Sequence, residues 1–359
     1  MIKMYYLLNM MTGILECGWI AFGLAHAMPL WQILCYPLTY YLGKLFPKPF
    51  SLPKKVLFGI CSAALIATVM LTAVPMPDIL GFVLTCLCLF LLSAVIQTVK
   101  NGMKSSEHSF LKRFCRVVGF ALSPIAAFRP QIILFVAVVI AFCGLTKYTG
   151  KEYHFTAPDL KGGYSLVILF HQLHYFCYTH ITIAAVSLVL SKQPPVIDAL
   201  DYAFTRNPDT FGGIAGILIF SGTQITYILS EHIFSRLTKK SMSIFYIGQS
   251  AVFVILLSMS FITDTALFVI LWLFTGLCDG TAFTITKNVE HLGKYDKSLM
   301  TFSENAGCIL GLLAAILVSA FFDTYSYDIM LVCGAVSTLA TILCMIITMQ
   351  KEKKYDGIG

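Results

Sequence analysis

The chain has 359 residues, of which 58% are hydrophobic and only 12% are charged, whereas a soluble domain carries about 25% charged residues. This composition excludes a water-soluble globular protein and predicts an all-α, polytopic protein embedded in lipid. The net charge of +7 lies almost wholly in the connections between apolar stretches. It therefore indicates orientation in a membrane, and we expect no binding to nucleic acid.

Twelve apolar stretches, most of about twenty residues, are long enough to cross a membrane as helices. We predict spans at 4–24, 27–46, 55–75, 78–99, 114–128, 130–146, 164–191, 208–235, 243–262, 265–287, 299–321 and 326–348. The stretch 114–128 is short, carries Arg116 and contains Pro124, which is also compatible with a helix lying in the interface.

Lys and Arg are concentrated in alternate connections, and such connections are typically cytoplasmic. Keeping that pattern along the whole chain requires 114–128 to cross, which places both termini in the cytoplasm. We predict an N-terminal six-helix bundle over 1–146, a cytoplasmic linker over 147–163, a C-terminal six-helix bundle over 164–350 and a cytoplasmic tail over 351–359.

The connection after the eighth span contains a short basic motif, Glu-His-Ile-Phe-Ser-Arg-Leu-Thr-Lys-Lys, at 231–240. Together with two sets of six spans, it resembles the major facilitator superfamily, whose members often have Gly-x-x-x-Asp-Arg-x-Gly-Arg/Lys-Arg/Lys there. Arg236, Lys239 and Lys240 fit this pattern, whereas the two glycines and the aspartate are replaced. The resemblance implies a divergent secondary transporter with two pseudo-symmetric bundles, and a gating role for these three residues.

In that family the first, fourth, seventh and tenth spans line a central cavity, and unusual ionisable residues lie on three of them here. Glu16 lies in the first span and Asp279 in the tenth. A carboxylate near the bilayer centre costs about 2.5–3.5 kcal/mol, so we predict that both bind protons or the substrate. A structural carboxyl group, hydrogen-bonded to a neighbouring helix, is the alternative.

The seventh span carries a polar face. At about 100° per residue, His171, His174, Tyr175 and Tyr178 share one side of the helix, and His180 projects to the other. We predict that this face binds a polar or anionic solute. A metal site with Asp279 or Glu16 as third ligand is the alternative, although we expect no metal. Glu304 in the eleventh span either gates or pairs with Lys294 or Lys297.

These features predict a secondary active transporter that moves a small organic solute by alternating access, coupled to protons. We expect no catalytic activity and no cofactor, and we expect a monomer in contact with lipid, in a bacterial cytoplasmic membrane. A membrane-embedded, histidine- and metal-dependent enzyme, or a lipid scramblase or receptor on the same scaffold, is the alternative.

Overall fold

The computed structural model describes residues 2–26, 28–45, 52–73, 78–103, 109–127, 129–148, 164–174, 214–237, 242–262, 264–285, 297–322 and 326–356. Within these ranges the regular elements are α-helices and short 3-10 turns, with no strand. Every described helix overlaps one of the twelve predicted spans. The predicted helical residues 175–191 and 208–213 lie outside the described part of the chain.

The first six helices are α1 Ile2–Ala25, α2 Leu30–Leu45, α3 Lys54–Ala73, α4 Asp78–Gly102, α5 Ser109–Leu122 and α6 Pro130–Thr146. A 3-10 turn, Ser123–Ala127, continues α5. The later helices are α7 at 164–174, α8 Ile214–Leu237, α9 Met242–Met259, α10 Thr265–Asp279, α11 Lys297–Phe321 and α12 Ser326–Asp356. A 3-10 turn, Gly280–Ala282, follows α10, and helical residues continue to Ile285.

The outward-facing side chains of these helices are apolar. Ile79, Ile247 and Phe321 are 78%, 71% and 77% exposed, which in water would create a large hydrophobic surface. Among the described residues, six helices are long and apolar enough to cross a membrane, at Lys54–Ala73, Asp78–Gly102, Met242–Met259, Leu267–Ile285, Met300–Phe321 and Asp328–Lys351. The chain is thus a polytopic, all-α integral membrane protein, as predicted.

By compactness the chain divides into two units. The first comprises Met1–Phe155 and Ser191–Ser221, and the second comprises Thr156–Leu190 and Gly222–Gly359. In the first unit α1 packs against α2 and α5, and α4 packs against α2 and α3. In the second unit α9 packs against α10 and α12.

Close helix packing in the first unit depends on glycine. A Cβ atom on Gly119 of α5 would overlap the Met10 carbonyl oxygen of α1, and one on Gly13 would overlap the Arg116 carbonyl oxygen. Further along, Gly18 of α1 faces Ala126 in the 3-10 turn. α5 and the 3-10 turn after it cover 114–127 of the stretch 114–128, which was compatible with either a span or an interfacial helix. This segment therefore runs beside α1 in the same chain direction for at least two turns.

Small residues serve the same purpose in the second unit. A Cβ atom on Gly276 of α10 would overlap Thr223 and Thr226 of α8, and one on Gly280 would be 2.6 Å from the Ser230 Cβ. Glycines spaced four residues apart on one helix allow a neighbouring helix to approach closely. This contact fixes α10 against α8 on both sides of Asp279.

We expect Gly119→Ala to reduce the free energy of unfolding by about 1–3 kcal/mol, because the added methyl group has to displace backbone. Gly59 of α3 is the matched control, since nothing lies within 4 Å of a Cβ atom built there. Gly59→Ala should leave stability unchanged or raise it by up to about 1 kcal/mol. Thermal unfolding of both purified variants in detergent measures the difference, and equal losses would contradict the close contact of α1 with α5.

Candidate functional site

The second unit contains a buried polar cluster centred on Asp279, which we call the Asp279 cluster. His171, His174 and Gln249 each place a side-chain Nε2 atom 3.1 Å from Oδ1 of Asp279. His171 is 5% exposed, and the other three side chains are fully buried. One carboxylate oxygen therefore accepts three hydrogen bonds in a part of the protein closed to solvent.

Three helices position this cluster. His171 and His174 lie three residues apart on α7, so both imidazoles point to the same side, with ring centroids 4.8 Å apart and nearly perpendicular planes. Gln249 comes from α9. Its neighbour Gly248 lies so close to the end of α10 that a Cβ atom there would overlap Thr281 in the 3-10 turn and lie 2.7 Å from the Cys278 carbonyl oxygen. This approach of the two backbones brings the Gln249 amide to the end of α10, where Asp279 lies.

A hydrophobic core supports the α7 side of the cluster. Tyr164, Val167 and Ile168 of α7 pack with Phe245 of α9, and the same core includes Ala282, Ile285, Met300 and Met345. Burial of these apolar side chains fixes the rotation of α7 about its axis. The two histidines are therefore held toward Asp279 rather than toward lipid.

The Asp279 cluster contains groups whose charge depends on how many protons they hold. With an ionised carboxylate and two neutral imidazoles, each facing Nε2–H donates to Asp279 and the cluster carries one negative charge. Each imidazole can accept one further proton on its other nitrogen. A first proton makes the cluster neutral. Because an isolated charge is costly in a low-dielectric environment, loss of this charge lowers the free-energy cost of burying the cluster.

The same atoms are also the ligand types of a transition-metal site. The three ligand atoms of His171, His174 and Asp279 lie within 4.8 Å of one another, and two imidazoles with one carboxylate suit a divalent ion. Such an ion would have to replace the hydrogen-bonded protons that now lie between the nitrogens and Oδ1. The arrangement seen here is the hydrogen-bonded one.

The first unit contains a second buried acid, Glu16 of α1, which is 2% exposed. Its carboxylate is paired with Arg116 of α5, with 2.6 Å between Oε2 and Nη2, and it accepts a hydrogen bond from the Tyr41 hydroxyl of α2. Arg116 Nη2 also lies 3.5 Å from the Tyr41 hydroxyl oxygen. Glu16 thus connects α1 to α5 through a cation, and α1 to α2 through a hydrogen-bond donor.

Basic residues surround this pair. Lys100 of α4 donates from Nζ to the Thr12 hydroxyl over 3.2 Å, one turn of α1 before Glu16. Lys44 of α2 places its Nζ 4.2 Å from the centroid of the Tyr41 ring. We call Thr12, Glu16, Tyr41, Lys44, Lys100 and Arg116 the Glu16 cluster.

The structure brings some of the predicted site residues together, separates others and does not describe the rest. His171, His174 and Asp279 form one cluster, whereas Glu16 lies in the other unit with its own partners. Glu304 is exposed on α11. Tyr175, Tyr178, His180, Lys239 and Lys240 lie outside the described residues, as does the side chain of Arg236.

Sequence reasoning missed Gln249, Tyr41 and Lys100 as members of these clusters. Gln249 had a usable signal, because it is the one carboxamide in the run 247–257, whose only other polar side chain is that of Ser250. Arg116 was noticed only as an obstacle to a membrane span. An acid in one predicted span and a cation in another are candidates for an ion pair. Glu16 and Arg116 form such a pair in the structure.

These observations define a class of fold. The described helices share their fold with solved structures of a membrane transporter, which agrees with the predicted all-α, polytopic fold. Two crystal structures of the nucleoside transporter NupG are similar to this chain. One has a TM-score of 0.59 at 14% sequence identity, covering 96% of this chain and 98% of that one.

The other, of a NupG point mutant, has a TM-score of 0.56 at 13% identity, covering 96% and 99% of the two chains. Identities this low establish a common fold and not a common substrate. No protein-family profile and no curated protein sequence matches the chain significantly.

We expect Asp279→Ala to destabilise the second unit by about 2–4 kcal/mol, because it leaves three buried donors without their acceptor. Asp279→Asn keeps a carbonyl oxygen at this position and should cost less. Asp328, exposed in the first turn of α12, is the control, and Asp328→Ala should change the midpoint of thermal unfolding little. Equal midpoints for Asp279→Ala and Asp328→Ala would show that the three hydrogen bonds contribute nothing to stability.

Proposed function

We propose that the protein is a secondary active transporter that moves a small polar organic solute by alternating access, driven by protons. The single observation that supports this most strongly is the Asp279 cluster. It places one carboxylate and two titratable imidazoles in hydrogen-bond contact inside a membrane-embedded helical unit. Intramembrane ionisable groups of this kind mark ion pathways and proton relays.

Proton binding offers a physical basis for coupling. The unprotonated cluster carries a net negative charge, which is costly to seal away from water. A proton on His171 or His174 neutralises this charge. It thereby lowers the free energy of a conformation in which the cluster is closed to water on both sides. In an alternating-access cycle, the two six-helix bundles 1–146 and 164–350 would change conformation around a midplane site, and protonation would favour the passage.

The solute-binding role is proposed for the α7 face and the two acids. His171, His174 and Asp279 supply donors and an acceptor, and Tyr175 and Tyr178 share the helical side of the two histidines by spacing. Nucleosides are the first class to test, because the NupG structures are those of a nucleoside transporter. A ribose and a base offer hydroxyl, amide and ring nitrogen groups that match this polar set.

Glu16 is the second proposed coupling group. Its ionised form is held by Arg116 and Tyr41, so a proton on Glu16 has to break the ion pair. Proton uptake at this position would therefore release the Arg116 guanidinium to another anionic partner. In this proposal the chain resides in a bacterial cytoplasmic membrane as a monomer, with both termini in the cytoplasm.

We expect Asp279→Asn to abolish uptake driven by a proton gradient while the protein remains folded, because asparagine cannot hold the charge that the histidine protons neutralise. The measurement is uptake of radiolabelled uridine and adenosine into proteoliposomes with an inward proton gradient, with and without an uncoupler. Asp328→Asn is the matched control and should retain wild-type uptake.

Two outcomes would count against the coupling role. Undiminished gradient-driven flux in Asp279→Asn would show that Asp279 has no coupling role. Wild-type uptake that is unaffected by the uncoupler would show that transport is not driven by protons. A chelator arm tests the metal alternative in the same vesicles. Since the proposed cluster uses protons, treatment with EDTA should leave uptake unchanged.

The proposed gate involves Arg236, Lys239, Lys240 and Glu304. We expect Arg236→Gln to slow the transport cycle at least several-fold without weakening solute binding, because a gating residue acts on the conformational change and not on the bound solute. Initial uptake rates and equilibrium binding to purified protein separate the two effects. Lys351, exposed near the end of α12, provides the control variant Lys351→Gln. Parallel loss of binding and rate in Arg236→Gln would contradict a gating role.

A further inference from the structure

We infer that the Asp279 cluster is also a binding site for a divalent transition-metal ion such as Zn²⁺, held by the two imidazoles, the carboxylate and the amide of that cluster. The inference goes beyond the proposed transport of protons and solute, since it concerns a further ligand of these side chains. Its principal test measures metal binding to the purified protein and requires no transport.

The first observation concerns the kinds of ligand atom in the cluster. Imidazole nitrogens of His171 and His174 face one carboxylate oxygen of Asp279. Zn²⁺ and similar divalent ions take imidazole and carboxylate ligands from proteins, and some zinc sites use two histidines with one acid. The same set is a poor site for Mg²⁺, which prefers oxygen ligands.

The second observation concerns the spacing of these atoms. Each histidine Nε2 lies 3.1 Å from Oδ1 of Asp279, and the ligand atoms of the three residues lie within 4.8 Å of one another. In a tetrahedral site with bonds of about 2.0–2.1 Å, neighbouring ligand atoms are about 3.3–3.4 Å apart. Two of the three distances are therefore close to those of a metal site, and rotation of the imidazoles about their side-chain bonds adjusts the third.

The third observation concerns Gln249, whose side chain is fully buried. Its Nε2 donates to Asp279, whereas its Oε1 has no hydrogen-bond partner among the described residues. A buried acceptor in this state costs about 1–3 kcal/mol. Both atoms belong to one planar amide, so a half-turn about the last side-chain bond brings Oε1 to the place that Nε2 now occupies. There the amide oxygen would be a fourth ligand of a bound cation.

The hydrogen-bonded and metal-bound forms can hold the same number of protons. In the hydrogen-bonded form each neutral imidazole carries its proton on Nε2. The same ring can carry that proton on Nδ1 instead, which makes the Nε2 lone pair available to a metal ion. Binding therefore replaces three hydrogen bonds to Oδ1 by coordination, and the proton of each imidazole moves to its other nitrogen.

Bound metal should also affect transport, and this step rests on the proposed function. With neutral imidazoles, a divalent ion changes the net charge of the cluster from one negative to one positive, so a conformation closed to water again contains a buried charge. The ion also links α7, α9 and α10. Bound Zn²⁺ should therefore inhibit proton-driven uptake of uridine, and excess EDTA should restore it.

The experiment uses the purified full-length chain without an affinity tag, stripped of metal with EDTA and then dialysed to equilibrium against Zn²⁺, because the cluster is closed to solvent. Elemental analysis gives the metal bound per chain, and the midpoint of thermal unfolding gives its effect on stability. An ion that binds only the folded form raises the midpoint with its concentration. We expect one tightly bound Zn²⁺ per chain, a four-coordinate absorption spectrum with Co²⁺, and no response to Mg²⁺ at the same concentration.

Four variants separate metal ligation from hydrogen bonding and folding. His171→Gln and His174→Gln keep an amide donor for Asp279 but remove an imidazole, and each should weaken Zn²⁺ binding by about tenfold or more. Gln249→Glu supplies a second carboxylate and should tighten binding by about tenfold, a gain that a folding defect cannot produce. His26→Gln is the matched control, because His26 is exposed in the first unit, and it should bind Zn²⁺ as the wild type does.

The inference is overturned if the wild type binds no Zn²⁺ at equilibrium. It is also overturned if His171→Gln and His174→Gln bind Zn²⁺ as tightly as the wild type, since the ion would then lie on other side chains. Binding without inhibition of uptake would support the metal site and contradict the coupling role of the cluster. Because binding is measured without transport, failure of the metal site and failure of the proposed function are distinguishable.

Discussion

The cost of placing charge inside a membrane governs this structure. A buried carboxylate is strongly disfavoured unless donors or cations surround it, and each buried acid described here meets that condition in a different way. Asp279 is surrounded by neutral donors from α7 and α9. Glu16 is met by a cation and a phenol from α5 and α2. The side chains that contact Asp279 and Glu16 meet these two requirements.

Close helix packing is what allows those requirements to be met. Gly13 and Gly119 bring α1 and α5 into backbone contact, and Arg116 can reach Glu16 because that contact lies one turn away. Gly248 does the same for Gln249 and Asp279 in the second unit. In lipid the hydrophobic effect does not drive helices together, so small residues and interhelical hydrogen bonds carry more of the specificity.

Much of the fold is readable from the sequence, because membrane spans are encoded by length and hydropathy alone. The described helices fall on the predicted spans, including the short α5. The grouping around α7 was readable in part, since the spacing of His171 and His174 predicts a shared face and Asp279 is one of the two acids, with Glu16, that the metal alternative named as third ligand. Tyr41, Gln249 and Lys100 were not, because their roles depend on which helices touch and at what rotation, and hydropathy carries no such information.

The two clusters differ in how their charge can change. Arg116 stays protonated at any physiological pH, so Glu16 can take up a proton only by giving up its ion pair, and the group released is a cation. An imidazole that donates from Nε2 can take up a proton on its other nitrogen, so the Asp279 cluster can change charge while its hydrogen bonds to the carboxylate persist. A proton on an imidazole of the Asp279 cluster would therefore neutralise a negative site, whereas a proton on Glu16 would release the positive charge of Arg116 from its ion pair. Protonation of either cluster makes the local charge more positive, which is the direction that favours an anionic group accompanying the proton.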